Sequence, residues 1–330
     1  MRLGLIAAAR ITEPALVAPA RDLDDVSLVV VGARDLARAE QAAADWGVER
    51  AVGSYEEVIA SDDIDAVYIA TPAGHHRHWT IEALRAGKHV LCEKPFASNA
   101  EEAREMVAVG QETGLILMEA FHWRYHPMVA QMQAIIDSGA IGEIEGADAA
   151  FDLPEGEIAM GDIRWDLSIG GGSLMDLGCY PVQWLRWLLG PMPEVVSASA
   201  VCPVDRVDGH IQAELRWPNG RSATLSSSMI EPDGRTDIRL SVYGSAGTMI
   251  AMNPLAPQNG ASITLETDSG REVLEVDASA TYLHQLIAFR DAVSSGVHPV
   301  TSGDDAIQNM EVIDAIYTAA GIGPRPSVTG

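Results

Sequence analysis

A charged pair, Glu93 and Lys94, directly follows an apolar run in the stretch VLCEKPFAS, residues 90 to 98. If the apolar run is a buried strand, the pair stands at its carboxyl end, where open parallel sheets bind their ligands. Pro95 restricts the backbone after Lys94, and a cis bond there would direct the ammonium group into the cleft. A carboxylate and an ammonium group in such a place favour a functional role over a purely structural one.

A second apolar run ends in the same way in the stretch ATPAGHH, residues 70 to 76. Thr71 and Pro72 interrupt the predicted strand, and His76 begins the next predicted helix. Because neighbouring parallel strands end at the same edge of a sheet, we expect Thr71, Pro72 and His76 to lie near a bound cofactor.

The N-terminal stretch MRLGLIAAARITEP has the pattern of a strand and turn that bind a pyrophosphate, but alanines stand where glycines are expected. Ala7, Ala9 and Thr12 occupy the key positions of this turn. Alanine is the mildest replacement for glycine and removes no backbone N–H donor. Alone, the pattern is a weak signal, because an ordinary strand-to-helix turn explains it equally well.

Arg34 follows the second predicted strand, about 20 residues beyond the loop, where dinucleotide-binding domains recognise the ribose. An arginine at this place pairs with the 2′-phosphate of NADP, so we favour NADP. In the alternative interpretation Arg34 is solvated and Asp35 binds the ribose of NAD. Arg10 could add positive charge beside the pyrophosphate, or could be an ordinary surface residue.

The elements that position these residues alternate regularly through residue 122. Apolar strands are separated by amphipathic helices with clear N-caps, among them Asp35, Ser54 and Asn99. This alternation predicts a doubly wound parallel sheet, that is, an α/β dinucleotide-binding domain over residues 1–122.

After Gly142 the pattern changes to short alternating segments separated by PNG, PDG and DSG turns. These segments predict a large, mainly antiparallel sheet with an open face, interrupted by the helix LMDLGCYPVQWLRWLLG. We therefore expect a second, α+β domain over residues 123–330, whose last two helices could pack back on the first domain.

The composition limits the partners of the chain. The 47 acidic and 22 basic residues give a formal charge of -25, which opposes contact with nucleic acid or an anionic membrane. Three scattered cysteines favour a reducing compartment, and no apolar run is long enough to span a bilayer. Asp148 and Asp152 lack a neighbouring histidine or cysteine pattern, so no metal site is expected. We predict a cytoplasmic protein that acts on a small molecule.

Four motifs together resemble the Gfo/Idh/MocA oxidoreductase family, namely TPAGHH, CEKP, MEAFHWRYHP and GGGSLMDLGCYP. Within that family the chain is similar to the branch of NADP-dependent dimeric dihydrodiol and D-xylose dehydrogenases. The loop of this branch usually reads Gly-x-Ala-Arg-Ile, which Ala9, Arg10 and Ile11 match and Ala7 does not. Ala73 also departs from the asparagine that often follows Thr-Pro in the family.

The resemblance implies a role for each matching residue. Glu93 would contact the nicotinamide ribose and Lys94 the reacting oxygen, while Asp176 and Tyr180 match the motif Asp-x-Gly-x-His/Tyr, with Tyr180 as proton acceptor. A phenol with a pKa near 10 becomes an effective base when an ammonium group stabilises its phenolate. In the alternative interpretation, Tyr180 has no catalytic role and is a helix residue that packs in the core.

Arg124, His126 and Trp165 resemble residues of a substrate pocket, and an aromatic face beside polar donors suits a pyranose or a dihydrodiol. Trp184 and Trp187 lie three apart on one predicted helix and are expected in the core.

The predicted function is an NADP-dependent dehydrogenase of a cyclic sugar, polyol or dihydrodiol, with NAD as the alternative cofactor. Two other classes stay open, namely a redox-cycling enzyme that processes glycosides with a retained nicotinamide and a sensor that has lost cofactor binding. The resemblance also implies a homodimer or homotetramer formed through the open face of the second sheet.

Overall fold

The computed structural model describes residues 1–328. Its first sheet has six strands: β1 (Arg2–Ile6), β2 (Ser27–Gly32), β3 (Arg50–Val52), β4 (Ala66–Ile69), β5 (His89–Cys92) and β6 (Leu117–Glu119). Their spatial order is β3-β2-β1-β4-β5-β6, and every pair is parallel. This is the strand order of a dinucleotide-binding domain, so the predicted doubly wound sheet is confirmed.

The helices of this sheet that follow Asp35, Ser54 and Asn99 begin at these predicted capping residues. The helices of the sheet are α1 (Ala18–Arg21), which continues a π-helical turn over Glu13–Val17, α2 (Leu36–Trp46), α3 (Tyr55–Ile59), α4 (His76–Arg85) and α5 (Ala100–Thr113). The Asp35 carboxylate accepts the Ala37 N–H at 3.0 Å, and Gly47 ends α2 with a φ of 73°. The Ser54 hydroxyl accepts the Glu57 N–H at 3.2 Å and donates to the Glu57 carboxylate at 3.0 Å, which closes the start of α3.

The second sheet has eight strands: β7 (Ile144–Pro154), β8 (Glu194–Val201), β9 (His210–Arg216), β10 (Ser222–Glu231), β11 (Asp237–Gly244), β12 (Gly247–Met252), β13 (Ser262–Thr267) and β14 (Gly270–Leu274). Their order is β14-β13-β12-β11-β7-β10-β9-β8. The pair β7 and β10 is parallel and the other pairs are antiparallel, so the predicted mainly antiparallel sheet is confirmed.

Burial alternates along these strands. In β9 the side chains of Ile211, Ala213 and Leu215 are buried, whereas those of Gln212 and Glu214 are exposed. One face of the sheet therefore packs into a core and the other is open to solvent.

The remaining helices are α6 (Pro127–Asp137), α7 (Cys179–Leu189), α8 (Thr281–Ser295) and α9 (Asp304–Ala319). A π-helical turn over Leu174–Gly178 leads directly into α7. No helix within residues 1–328 combines the length and the apolar character needed to cross a bilayer.

The chain forms two compact units. One contains residues 1–122, 282–307 and the described residues after 326, and the other contains residues 123–281 and 308–326. The segment after residue 281 is thus divided between the units, with α9 contributing to each.

Candidate functional site

The turn after β1 has the closed form of a phosphate-binding loop. Ala7 has a φ of 84°, in the left-handed region that favours glycine. Its N–H donates to the Gly32 carbonyl at 3.2 Å, and the Thr12 hydroxyl donates to the Ala7 carbonyl at 3.4 Å. Thr12 is fully buried, and its N–H donates to the Ala9 carbonyl at 3.1 Å. The backbone thus keeps the glycine-type geometry although the residue is alanine.

Two arginines follow β2, namely Arg34, which the sequence analysis predicted as a site residue, and Arg38, which it missed. Arg34 is exposed just after β2, and the Arg38 guanidinium donates to the Ala8 carbonyl at 2.8 Å. Burial raises the pKa of Tyr55, and the charges of Arg34 and Arg38 oppose that rise, so both guanidinium groups lie near this phenol. No local signal marked Arg38, because it has the pattern of an ordinary exposed residue in the first turn of α2.

His76 lies behind the loops that follow β4 and β5. It is 1% exposed, with Nε2 2.7 Å from the Thr71 carbonyl oxygen and Nδ1 3.0 Å from that of Pro95. Burial lowers its pKa to about 4, so the ring is neutral at pH 7 and its single N–H donates to one of these two carbonyls. The imidazole thus lies between the loop of Thr71 and Pro72 and the loop of Lys94 and Pro95.

Glu93 and Lys94 follow β5 as predicted, at the carboxyl edge of the parallel sheet. Glu93 is 6% exposed, and its carboxylate accepts the Tyr68 hydroxyl at 2.7 Å and the Lys94 N–H at 3.3 Å. Lys94 is half-buried, and the Lys94–Pro95 peptide bond is cis, as its sequence context indicates. The sequence analysis missed Tyr68, because within an apolar strand it has the pattern of a core residue.

In the second unit, Asp176 and Tyr180 lie on the continuous helical stretch formed by the π-helical turn and α7. The Arg164 guanidinium pairs with Asp176 and also with Asp162, the latter at 2.9 Å. The charge of Asp176 raises the pKa of Arg164, so this arginine is cationic throughout the ordinary pH range. The Asp176 carboxylate is therefore held in an ion pair that the sequence did not indicate.

Tyr180 occupies the first turn of α7 and is 3% exposed. Its ring lies 6.0 Å from that of Phe151 and 6.3 Å from that of Trp184, measured between centroids. Trp184 is fully buried and Trp187 is half-buried, so the expectation of a core position holds fully for Trp184 alone.

The three residues predicted for the substrate pocket have different surroundings. Arg124 is half-buried in a 3₁₀ turn, and Trp165 is 5% exposed, with its indole N–H 3.5 Å from the Ile158 carbonyl oxygen. His126 caps α6: Nδ1 accepts the Met128 N–H at 3.1 Å, so Nε2 carries the proton and donates to the Ser279 carbonyl at 3.1 Å. The His126 ring thus caps α6 and joins it to the backbone at Ser279.

Residues 1–121 match the model of the oxidoreductase family with an NAD-binding Rossmann fold, and residues 129–250 match the GFO/IDH/MocA C-terminal domain. The chain belongs to the Gfo/Idh/MocA oxidoreductase family. Its first sheet and helices accordingly form an NAD(P)-binding Rossmann domain.

The relatives of this chain include members of the branch that the sequence motifs resemble. The chain is 33% identical over 326 residues to D-xylose 1-dehydrogenase (NADP(+)) 2 of Haloferax volcanii, covering 98% of each chain. It is 36% identical over 228 residues to trans-1,2-dihydrobenzene-1,2-diol dehydrogenase of Oryctolagus cuniculus, covering 69% of this chain and 68% of the relative. A 3-ketoreductase from Actinomadura kijaniata, solved in complex with NADP and TDP-benzene, has a TM-score of 0.90, 30% identity and 97% coverage of both chains. These relatives are oxidoreductases of sugars or diols, which confirms the predicted family and branch.

Proposed function

We propose that this chain is an NADP-dependent oxidoreductase that interconverts a secondary alcohol and a ketone on a cyclic sugar, polyol or dihydrodiol. The observation that carries the proposal is the position of Lys94, half-buried at the carboxyl end of β5 beside a carboxylate fixed by the Tyr68 hydroxyl. Ligands of open parallel sheets bind at this edge. The relatives named above support the class of substrate.

The residues around the turn after β1 are suited to binding a dinucleotide. The turn after β1 has the left-handed residue that a phosphate loop requires, and the Arg38 guanidinium donates to its Ala8 carbonyl. The backbone of Ala7, Ala9, Arg10 and Ile11 would hold the pyrophosphate, and the exposed Arg34 would pair with a 2′-phosphate. The bound nicotinamide supplies the hydride acceptor or donor. Arg34 at this place favours NADP over NAD.

The proposed roles at the reacting carbon follow from charge and proton affinity. The Lys94 ammonium group binds the reacting oxygen and stabilises negative charge on it. During oxidation the Tyr180 phenolate accepts the proton of the substrate hydroxyl, and during reduction the Tyr180 hydroxyl returns that proton. Asp176, held in its ion pair with Arg164, lies on the same helical stretch as Tyr180. Thr71, Pro72 and Glu93 position the nicotinamide side, and Arg124, His126 and Trp165 belong to the substrate side.

Two substitutions test these roles. Lys94→Met and Tyr180→Phe should each lower kcat by about 100-fold to 10,000-fold, the usual range for loss of a positioned proton donor or acceptor. Fluorescence titration should show NADPH affinity unchanged within about threefold. Turnover is measured with NADP⁺ on a panel of pentoses, hexoses, inositols and cyclic diols.

Lys88→Met is a matched control, because Lys88 is the other lysine of the chain. Its ammonium group donates to the Ser61 and Ile64 carbonyls at 2.8 and 2.9 Å, a structural task. We expect Lys88→Met to keep kcat while lowering stability. If the variants of Lys94 and Tyr180 turn over like the parent protein, the assigned roles are wrong.

We also propose that the exposed face of the eight-stranded sheet joins copies of the chain into a homodimer or homotetramer. This face carries small polar side chains, including Ser197, Ser199 and Thr224, around a concavity of 470 Å³. Light scattering during gel filtration should show that Ser199→Arg lowers the oligomeric state. Ser294→Arg, at an exposed position of α8, is the control and should leave the state unchanged.

A further inference from the structure

A buried ion pair lies in the second unit, between Asp208 and Arg325 near the end of the chain. Both side chains are 0% exposed. The Arg325 guanidinium also donates to the Gly171 carbonyl at 2.6 Å and the Arg206 carbonyl at 2.8 Å, and it stacks 3.8 Å from the centroid of the Tyr317 ring. The arginine thus has a fixed orientation, because its donors point in several directions at once.

The Asp208 carboxylate caps the helical stretch that carries Asp176 and Tyr180. One oxygen accepts the Leu174 N–H at 2.7 Å and the Ser173 hydroxyl at 2.8 Å. The other accepts the Tyr317 hydroxyl at 3.0 Å and the Arg325 guanidinium. Ser173, at the N-cap position, makes no side-chain cap of its own. The Asp208 carboxylate therefore replaces a side-chain cap at the N-terminus of the helical stretch, where the helix dipole is positive.

The loop of Gly171 and Gly172, just before the helical stretch, has no room for a side chain at either residue. A Cβ atom on Gly172 would meet the Asp208 carboxylate, and it would lie 2.5 Å from the Arg325 guanidinium and 2.8 Å from the Tyr317 hydroxyl. A Cβ atom on Gly171 would lie 2.6 Å from the Arg164 carbonyl oxygen. The backbone of this loop is therefore enclosed between the buried ion pair and the segment that carries Arg164, the partner of Asp176.

The end of the chain holds the helical stretch at a second place as well. The Asn309 side chain on α9 donates to the Cys179 carbonyl at 3.4 Å, one residue before Tyr180. Residues after 307 thus contact the backbone on both sides of Asp176.

We propose that Arg325, acting through Asp208 and the Gly171 carbonyl, is a positioning residue that sets the place of Asp176 and Tyr180. This inference rests on the proposed function of those two residues. Desolvation offsets much of the attraction in a buried ion pair, so such a pair is better suited to define geometry than to add stability. Small displacements of groups at a reaction centre reduce turnover strongly.

The first test needs no substrate. Hydrogen–deuterium exchange is compared for the parent protein, Arg325→Met and Trp217→Phe. Trp217 is the control, because its indole N–H donates to the Gly190 carbonyl at 2.9 Å, beyond the other end of α7. We expect amides of residues 171–180 to exchange about tenfold faster in Arg325→Met alone. Unchanged exchange there, or an equal increase in Trp217→Phe, would overturn the proposal.

The second test measures turnover with NADP⁺ and D-xylose or another substrate from the panel. Arg325→Met should lower kcat by about 10-fold to 100-fold while the KM for NADP⁺ stays within about threefold. Arg325→Lys, which keeps the charge, should recover part of the loss. Parent-like kcat in both variants, or a fall of kcat that Trp217→Phe reproduces, would contradict the positioning role.

Two further variants separate the possible failures. If Arg325→Met does not fold, Tyr317→Phe removes one donor to Asp208 and is judged by the same exchange and kcat criteria, with smaller effects. Tyr180→Phe is measured in parallel. Parent-like turnover in Tyr180→Phe overturns the proposed function, whereas a loss there with parent-like Arg325 variants overturns only the positioning role.

Discussion

Replacing Ala7 by glycine tests whether the loop after β1 is a phosphate loop strained by one methyl group. Ala7 has a φ of 84°, and an L-residue in this region costs about 1–2 kcal/mol relative to the right-handed region. Glycine removes that cost but adds freedom to the unfolded chain, which offsets about 0.5–1 kcal/mol. The net expectation for Ala7→Gly is a rise of about 0.5–1 kcal/mol in the free energy of unfolding.

Ala9→Gly is the matched control two residues further on. Among residues 1–328, the non-glycine residues at positive φ are Ala7, Arg206 and Asn253, so Ala9 carries no such strain. Only the unfolded-state contribution applies to Ala9→Gly, and we expect a loss of about 0.5–1 kcal/mol. The two alanine-to-glycine changes should therefore move stability in opposite directions.

Differential scanning calorimetry should show Tm rising by about 2 °C for Ala7→Gly and falling by a similar amount for Ala9→Gly. Isothermal titration should show NADPH binding tightened by less than about tenfold in Ala7→Gly, since one methyl group limits the approach of the pyrophosphate. A Tm that falls in both variants would refute the argument from backbone strain. Unchanged NADPH affinity with a raised Tm would confine the effect of Ala7 to folding.

Four further changes have defined outcomes. Arg34→Ala should weaken the binding of NADPH by about 10-fold to 100-fold in titrations and leave the binding of NADH unchanged, because a charged hydrogen bond to the 2′-phosphate is lost. Equal losses of affinity for both cofactors would favour the NAD interpretation. Ser54→Ala should lower the free energy of unfolding by about 1 kcal/mol in urea, through loss of the α3 cap. Burial raises the pKa of Asp152 from 3.8 to about 6. The native state then holds this proton more tightly, so stability falls as pH rises from about 4 to 6, and Asp152→Asn should stabilise the protein at pH 7.5 but not at pH 3.5. An amine-reactive reagent followed by peptide mass analysis should label Lys94 more slowly when NADPH is present, because the cofactor would cover the edge of the sheet at which Lys94 lies; equal labelling with and without NADPH would contradict the proposed site.

Local patterns predicted the first sheet well and failed at two elements. The caps at Asp35, Ser54 and Asn99 all accept the backbone N–H groups expected of them. β3 was missed because its three residues, Arg50–Val52, are too few to show an apolar run. α6 was missed because His126 caps its start in place of the serine, threonine, aspartate or asparagine usual there.

The sequence likewise predicted some residues of the candidate site and missed others. Motifs in the sequence identified Lys94, Asp176 and Tyr180 as candidates, and no distance had to be known for this. The partners of the site residues were not predicted: Arg164 lies 12 residues from Asp176, Tyr68 lies 25 residues from Glu93, and Arg38 lies 30 residues from Ala8 in the phosphate loop. Such pairs depend on strand register and helix placement, which residue type does not encode.

The sequence by itself determined the order of strands and helices apart from β3 and α6, the family, and the residue types at the proposed reaction centre, because periodicity, capping and motifs are local properties of a chain. Only the tertiary structure decided that Ala7 adopts the conformation of a glycine, that His76 lies between two loop carbonyl groups, and that Arg325 meets Asp208 across 117 residues. These facts arise when distant segments pack and buried polar groups must find partners, and the partner is whichever group the fold brings within reach.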